Sequence, residues 1–216
     1  MKFFVPFVAI LFLILSCGQK RDTVEKLPFY NTPDFTPRWE GEGNLDLKNI
    51  HSISEFSLIN QDNQQIDNST LKGKIYVADF FFTTCSGICP KMSENMKLIQ
   101  NEFLDDEQVL LLSHSVTPEY DTVEILKNYA QTKGVRSGKW HLLTGDKKAI
   151  YKLARNSYFV DKELGFSKTV NDFLHTENFV LVDGQGRIRG VYNGTLLLEV
   201  KNLIQDIKVL KKEQVN

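Results

Sequence analysis

The stretch from residue 75 to residue 90 reads Ile75-Tyr76-Val77-Ala78-Asp79-Phe80-Phe81-Phe82 and then Thr83-Thr84-Cys85-Ser86-Gly87-Ile88-Cys89-Pro90. Its first half is rich in aromatic and β-branched residues, which predicts a strand that is buried on both faces. Residues 91–104 carry apolar side chains at helical spacing, and residues 109–112 form another apolar run. A strand, a helix and a strand in about forty residues make a βαβ unit, so we expect a parallel pair of strands.

The segments on either side of this unit complete an α/β fold. Before it, the alternating residues 53–58 and a second short segment predict an N-terminal β-hairpin. After it, the sequence predicts a helix over 121–133 with Thr122 as its cap, a strand over 140–143, a helix from Asp146 to about residue 155, a loop over 160–172, a hairpin over 179–192 and a closing helix over 196–210. This order is that of a thioredoxin-like fold: a central mixed sheet flanked by helices, with an N-terminal hairpin and an insertion loop in the C-terminal half.

The composition is that of a soluble globular protein. Hydrophobic residues make up 42% and charged residues 25% of the 216. Lys and Arg number 26 against 27 Asp and Glu, so no basic surplus is available to neutralise a phosphate backbone. We therefore do not expect nucleic acid as a partner.

The first sixteen residues form a separate segment. Lys2 is their only charge, and the apolar run from Phe3 to Leu15 has the length of a signal-peptide core but is too short to span a bilayer, which takes about 20 residues. The stretch Ile14-Leu15-Ser16-Cys17 resembles a bacterial lipobox, in which Cys17 is lipidated and becomes the mature N-terminus. The alternative is an ordinary secretory signal with an unrelated cysteine. We expect residues 1–16 to be a lipoprotein signal peptide, with Cys17 anchoring an exported domain to the bacterial membrane in the periplasm.

A tether follows the signal peptide. Residues 17–48 are polar and interrupted by prolines, but they also contain the apolar residues Leu27, Phe29, Tyr30, Phe35 and Trp39. So many aromatic residues are unusual in a free linker. We expect this tether to pack partly on a domain that spans residues 49–213.

The chemistry is expected at Cys85 and Cys89. Their thiols lie between the end of a strand and the start of a helix, where unpaired N–H groups and a partial positive charge favour the thiolate. A CxxC pair is the usual redox form, whereas three intervening residues give a wider loop on which two thiolates can converge on a metal. Both uses remain open at this point. Thiolates select copper(I), and because two sulfurs leave it under-coordinated, a third donor is expected elsewhere.

Four histidines are candidates for that donor. His175 stands just before the hairpin strand that, in a thioredoxin-like sheet, ends near the dithiol, so we expect it to be the third ligand. His114 ends the strand after the first helix, and a hydrogen-bonded structural or supporting role is favoured for it. His51 and His141 are expected to be structural.

Asp79 interrupts the apolar strand six positions before Cys85. Thioredoxins keep a buried Asp at this spacing, which assists proton transfer from their dithiol. Because a buried carboxylate without a partner is costly, we hypothesise that the pKa of Asp79 is raised and that it accepts a proton when the thiols bind metal or form a disulfide. The alternative is that its side chain points to solvent or into a hydrogen bond.

Four motifs in order resemble the SCO/SenC family, in its bacterial lipoprotein form. They are Phe82-Thr83-Thr84-Cys85-Ser86-Gly87-Ile88-Cys89-Pro90, Ser115-Val116-Thr117-Pro118-Glu119-Tyr120-Asp121-Thr122, Leu143-Thr144-Gly145 and Leu174-His175-Thr176. The resemblance implies copper ligation by Cys85, Cys89 and His175, with copper(I) and also copper(II) as candidate ions. Thr117 and Leu174 stand where the family commonly has Asp, whereas Asp121 is retained. Asp79, His114 and Asp121 are the candidates for supporting the ligands.

The resemblance implies one of two functions. The first is a metallochaperone that delivers copper to the copper A centre of cytochrome c oxidase subunit II, or to another cuproenzyme. The second is a thiol:disulfide oxidoreductase that reduces the cysteines of that copper site, with Cys85 as the attacking thiolate and Cys89 as the resolving thiol. Either function implies a further partner, a copper donor or a thiol reductant, because an exported dithiol in an oxidising compartment must be kept reduced or protected by its metal.

Overall fold

The computed structural model describes residues 26–41, 46, 49–160 and 176–215. The elements in them are, in chain order, β1 (Phe29–Tyr30), β2 (Pro37–Arg38), β3 (Ser57–Asn60), β4 (Gln65–Asp67), α1 (Asn68–Leu71), β5 (Ile75–Phe81), α2 (Cys89–Glu102), β6 (Val109–Ser115), α3 (Val123–Lys133), β7 (Trp140–Thr144), α4 (Lys147–Asn156), β8 (Asn178–Val182), β9 (Ile188–Asn193) and α5 (Leu197–Val215).

Seven of the strands form one mixed sheet in the order β4-β3-β7-β6-β5-β8-β9. The strands β5, β6 and β7 are parallel to one another. Strand β3 pairs antiparallel with β7, strand β8 pairs antiparallel with β5, and β9 extends β8 as a hairpin. Helices α2, α3 and α5 cover one face, and α1 and α4 cover the other. This is the thioredoxin-like arrangement that the sequence predicts, and β3 and β4 supply the expected N-terminal hairpin.

The hairpin begins later than its alternation suggests. The backbone N–H of Ile53 donates to the carbonyl of Gly186, 2.8 Å away, and that of Phe56 donates to Asn68 Oδ1, 2.9 Å away. Because these donors are satisfied outside the sheet, strand pairing starts only at Ser57. The predicted strand over 53–58 is therefore wrong in its bounds, although the hairpin itself is present.

Strand β5 is the centre of the structure, and all seven of its residues are buried. Val77 and Phe81 enter the core cluster beneath α2, α3 and α5, while Ala78 and Phe80 enter the cluster on the other face. Each face of the strand is thus covered by apolar side chains, which explains its nearly continuous apolar sequence.

The chain leaves the sheet at the end of β5 and enters α2 at Cys89, with Pro90 in the first turn. Strand β6 ends at the same edge, because it is parallel to β5, and the antiparallel β8 begins there. We call this edge of the sheet, where β5 and β6 end and β8 begins, the dithiol edge. The topology therefore brings the loops that follow β5 and β6 and the start of β8 to one place.

The segment before the domain packs near the opposite edge, where β9 begins. Leu27 and Phe29 are buried. Arg189 donates from Nη2 to the Leu27 carbonyl (2.6 Å) and from Nε to the Pro28 carbonyl (3.0 Å). Its guanidinium also lies 4.1 Å from the centroid of the Phe29 ring. These contacts fix the described start of the predicted tether to β9.

Arg189 is 3% exposed at its side chain and pairs with Asp183 and Glu213. We expect Arg189→Ala to lower the free energy of unfolding by about 3 kcal/mol, because it leaves buried carboxylates with too little compensating charge. Urea unfolding of the reduced protein measures this loss. Lys208→Ala removes one partner of an exposed ion pair with Glu102, and it should cost no more than about 0.5 kcal/mol. Equal losses of stability in the two variants would contradict the conclusion that the buried ion pairs of Arg189 stabilise the fold more than the exposed pair of Lys208.

Candidate metal centre

Cys85 and Cys89 are both free thiols at the dithiol edge. Cys89 is the first residue of α2 and only 5% exposed, whereas Cys85 lies in the preceding loop and is partly exposed. The two thiols are hydrogen-bonded to each other. Solvent therefore reaches Cys85 in part, whereas Cys89 belongs to the core.

This difference separates the acidities of the two thiols. Burial raises the pKa of Cys85, but hydrogen bonds from the Cys89 thiol and from the backbone N–H groups of Cys89, Gly87 and Ile88 outweigh it, so the pKa lies below its ordinary value. Burial, followed by the neighbouring Cys85, raises the pKa of Cys89 well above its ordinary value. The helix N-terminus thus stabilises one thiolate, at Cys85, and the proton stays on Cys89.

A thiolate with a second sulfur beside it suits two kinds of chemistry. Two sulfurs are the soft donors that copper(I) prefers, and they fit that ion better than a hard cation such as Mg²⁺. A low-pKa thiolate with a resolving thiol also suits disulfide exchange. Within the described residues, no three His, Cys, Asp or Glu side chains are grouped so as to hold a metal ion.

Asp79 lies on the same side of the sheet as Cys89. It lies two positions from both Val77 and Phe81 in β5, so the three side chains share one face of the strand, and Val77 and Phe81 belong to the same core cluster as Cys89. The hydroxyl of Ser113 donates to Asp79 Oδ1, and that hydroxyl in turn accepts from the indole N–H of Trp140 at 2.9 Å. Burial raises the pKa of Asp79 to about 7, against the opposing effect of the Ser113 hydrogen bond. Asp79 is therefore both buried and hydrogen-bonded, and it titrates near neutrality.

His114 lies on the opposite face of the sheet from Cys89. Its ring stacks on Phe80, with centroids 4.9 Å apart, and contacts Phe56 and Tyr158. Its Nδ1 donates to the carbonyl of Asp79 at 3.2 Å, and its buried Nε2 has no hydrogen-bond partner among the described residues. Burial lowers the pKa of His114 to about 4, so the ring is neutral at physiological pH. The structure therefore connects His114 to the backbone of Asp79 and not to the thiols.

Of the other three histidines, His51 and His141 are described by the structure and His175 is not. His51 Nε2 lies 2.7 Å from the Ser157 carbonyl, and His141 Nδ1 accepts from Asn60 at 3.1 Å. His175 lies outside the described residues, as does Cys17. Thr176, which follows His175, is buried. Because β8 runs antiparallel to β5, the described residues Thr176 and Glu177, just before β8, lie at the dithiol edge.

Asp121 connects the loop over residues 82–88, which we call the thiol loop, to β6. It is 1% exposed and accepts hydrogen bonds from Thr83, Ser115 and Thr117. Sequence reasoning named Asp121 but not these hydroxyl partners, nor Ser113 beside Asp79. The one available signal for Ser113 was its position: it is the first polar residue after the apolar run of β6, as Asp79 is in β5.

A family profile described as SCO1/SenC matches residues 46–212. The chain belongs to the SCO1/SenC family. It is similar to a SCO1/SenC family lipoprotein from Bacillus anthracis str. Ames, with 32% identity and a TM-score of 0.65 over 74% of this chain and 95% of the other. BsSco, a member of the Sco family of cytochrome c oxidase assembly proteins, is 29% identical, with a TM-score of 0.62 over 74% of this chain and 93% of its own. Copper-bound ScoI of Arabidopsis thaliana is 27% identical, with a TM-score of 0.57 over 74% of this chain and 98% of its own.

The split between the thiols predicts selective alkylation of this SCO1/SenC protein. In the reduced, metal-free protein, we expect iodoacetamide to modify Cys85 well before Cys89, because Cys85 is both the more exposed and the more acidic thiol. Cys89→Ala should slow the reaction of Cys85 near neutral pH, since it removes a hydrogen-bond donor to the thiolate. Cys89→Ser keeps a donor and is the matched control. Mass spectrometry of the peptides measures both rates, and faster modification of Cys89 would refute the assignment.

The raised pKa of Asp79 predicts a fall in stability with rising pH. The folded-state pKa of about 7 exceeds the ordinary value of 3.8, so the contribution of Asp79 is complete below about pH 4 and is lost as the pH rises through about 7. Asp79→Asn cannot ionise, and its stability relative to wild type should therefore grow over this range by up to about 4 kcal/mol. Urea unfolding of the reduced, metal-free proteins at several pH values tests this. Asp105→Asn, at an exposed position, should follow the wild-type profile, and a parallel profile for Asp79→Asn would contradict the raised pKa.

Proposed function

We propose that this protein is a copper metallochaperone that binds copper through Cys85, Cys89 and His175 and delivers it to the copper A centre of cytochrome c oxidase. The observation that carries the proposal is the free dithiol of Cys85 and Cys89 at the dithiol edge of a SCO1/SenC protein. The copper-bound ScoI of Arabidopsis thaliana and the oxidase assembly protein BsSco, both similar to this chain, support it.

The two thiols play different parts in binding. Cys85, with its lowered pKa, offers a thiolate to the incoming ion, and Cys89 must lose its proton before it can become the second ligand. Copper(I) is the ion that these sulfurs favour, and copper(II) is a second state that an imidazole ligand would help to hold. Release to a client is ligand exchange: bonds between copper and this protein are replaced by bonds between copper and the client, and no bond within the client changes.

His175 is proposed as the third ligand. Support comes from the β5–β8 register, in which Ala78 faces Val180, so that the chain arrives at β8 from the dithiol edge. A neutral imidazole completes the coordination that two sulfurs leave open. In this proposal, two donors come from the thiol loop and the start of α2, and the third comes from the residue before Thr176.

Asp79 is proposed as the group that accepts the proton of Cys89. It is buried on the face of β5 whose Val77 and Phe81 belong to the same core cluster as Cys89, and its charge contributes to the raised pKa of that thiol. Burial holds the pKa of the Cys89 thiol well above that of Asp79, so the ion itself would have to drive the transfer by stabilising the Cys89 thiolate. A carboxylate that titrates near pH 7 could then receive the proton.

Export and anchoring through a lipidated Cys17 are part of the proposal. The similar Bacillus anthracis protein is a lipoprotein of the same family. No helix in the described part of this chain is long and apolar enough to cross a membrane. A lipid at Cys17 would hold the domain near a client that is embedded in the membrane, with a copper donor or a thiol reductant as the other partner.

The second candidate function is thiol:disulfide oxidoreductase. The specific observation in its favour is the combination of a partly exposed Cys85, whose pKa is lowered, with a buried Cys89, which is the arrangement of an attacking and a resolving thiol. A disulfide switch has been identified in BsSco. In this alternative the protein reduces the cysteines of the oxidase copper site, and His175 has no part in the reaction.

A copper titration tests the first function. We expect residues 17–216 to bind one copper ion per chain, and Cys85→Ser, Cys89→Ser and His175→Ala each to weaken binding severely, because each removes one donor. Competition with a copper(I) chelator measures the affinity, and electron resonance reports any copper(II). His51→Gln is the control, since His51 bonds to Ser157 within the fold. Tight copper(I) binding by the double cysteine variant would exclude this site.

His175→Ala also separates the two functions. If the variant keeps its disulfide reductase activity but abolishes oxidase assembly, copper transfer is the function. If assembly persists in the same variant, the redox function stands and the metallochaperone proposal fails.

A further inference from the structure

Asp121 lies where three segments of the chain meet. Its carboxylate is 1% exposed, at the turn between β6 and α3. A buried carboxylate is stable only where donors replace the water that it loses. Its hydrogen-bond donors among the described residues therefore identify the segments that Asp121 joins.

Four hydrogen bonds reach this carboxylate. Thr83 donates twice, from its hydroxyl to Oδ1 at 2.5 Å and from its backbone N–H to Oδ2 at 3.3 Å. The hydroxyl of Ser115 donates to Oδ2 at 2.5 Å, and that of Thr117 donates to the same oxygen at 3.0 Å. One side chain thus ties the start of the thiol loop to the end of β6 and to the turn that leads into α3.

Thr83 is the contact that matters for the metal centre. The loop over residues 82–88 has no helix or strand of its own, and it carries Cys85. The N–H of Cys85 donates to the Phe82 carbonyl at 3.3 Å, so the position of Cys85 follows from that of the residues just before it. By fixing Thr83, Asp121 fixes the point from which the loop departs.

We infer that Asp121 is a positioning residue that holds the Cys85 loop in the shape needed to present two sulfurs to one ion. The inference rests on the proposed copper function and identifies a residue on which its ligand geometry depends. Metal sites commonly depend on such supporting hydrogen bonds, because ligands that are already in place lose less freedom on binding.

Thr117 adds a donor from the turn that leads into α3. Its hydroxyl donates to Asp121 Oδ2 at 3.0 Å. The carboxylate that holds the thiol loop through Thr83 therefore also holds this turn.

A matched pair of variants tests the inference. Thr83→Val and Ser115→Ala each remove one hydroxyl donor to Asp121, but only Thr83 belongs to the thiol loop. We expect Thr83→Val to weaken copper(I) binding by about tenfold or more, the range typical of a lost supporting group, and Thr83→Ser to restore it. Ser115→Ala should lose stability but keep its copper affinity, and Asp121→Asn should behave like Thr83→Val.

A second readout needs no metal. In the reduced, metal-free protein, hydrogen exchange followed by mass spectrometry should be faster in the peptide over 82–88 for Thr83→Val and Asp121→Asn, but unchanged for Thr83→Ser and Ser115→Ala. Equal effects of Thr83→Val and Ser115→Ala, or no rescue by Thr83→Ser, would overturn the inference. If wild type binds no copper, the proposed function fails, while the exchange rates still decide whether Asp121 positions the loop.

Discussion

The burial of β5 on every side is the constraint on which the rest of the structure depends. Strands β6 and β8 occupy its two edges, and apolar clusters cover its two faces. The chain leaves the sheet at the carboxyl end of this strand, at Phe81, and ligand groups in α/β sheets lie at such ends. Helix α2 begins beyond the thiol loop, at Cys89, and the result is a pair of thiols of which one is buried and the other is partly exposed.

Two buried carboxylates near this end of β5 show how the same low-dielectric surroundings give different properties. Asp121 accepts four hydrogen bonds, from three side-chain hydroxyls and one backbone N–H, and these donors come from three segments of the chain. It therefore joins these segments. Asp79 accepts one hydrogen bond, from Ser113, and desolvation raises its pKa to about 7, so it can exchange a proton at physiological pH.

The sequence was sufficient for the parts of the fold that follow from periodicity, and insufficient for those that follow from distant polar contacts. The apolar run of β5 and its partner in β6 predicted the parallel pair, and the pairing of Asp79 with Ser113 follows from aligning the starts of the two strands, Ile75 with Val109. The predicted start of β3 was wrong, because Gly186 and Asn68 accept hydrogen bonds from the backbone N–H groups of Ile53 and Phe56. No local pattern shows that Arg189 binds the carbonyls of Leu27 and Pro28, 162 and 161 residues away. No local pattern predicts the three hydroxyls around Asp121 either, since Thr and Ser side chains are compatible with many arrangements.

The asymmetry between the thiols also sets an order for copper transfer under the proposed function. An incoming ligand from a client reaches Cys85 first, because Cys89 is 5% exposed and lies behind the loop. Displacement of Cys85 leaves a sulfur whose pKa is lowered by hydrogen bonds from Cys89, Gly87 and Ile88, so it needs a proton less than Cys89 does. Burial favours the protonated thiol at Cys89, and its departure would draw on a proton that Asp79 can return. Under the proposed function, release would therefore proceed from the partly exposed sulfur to the buried one.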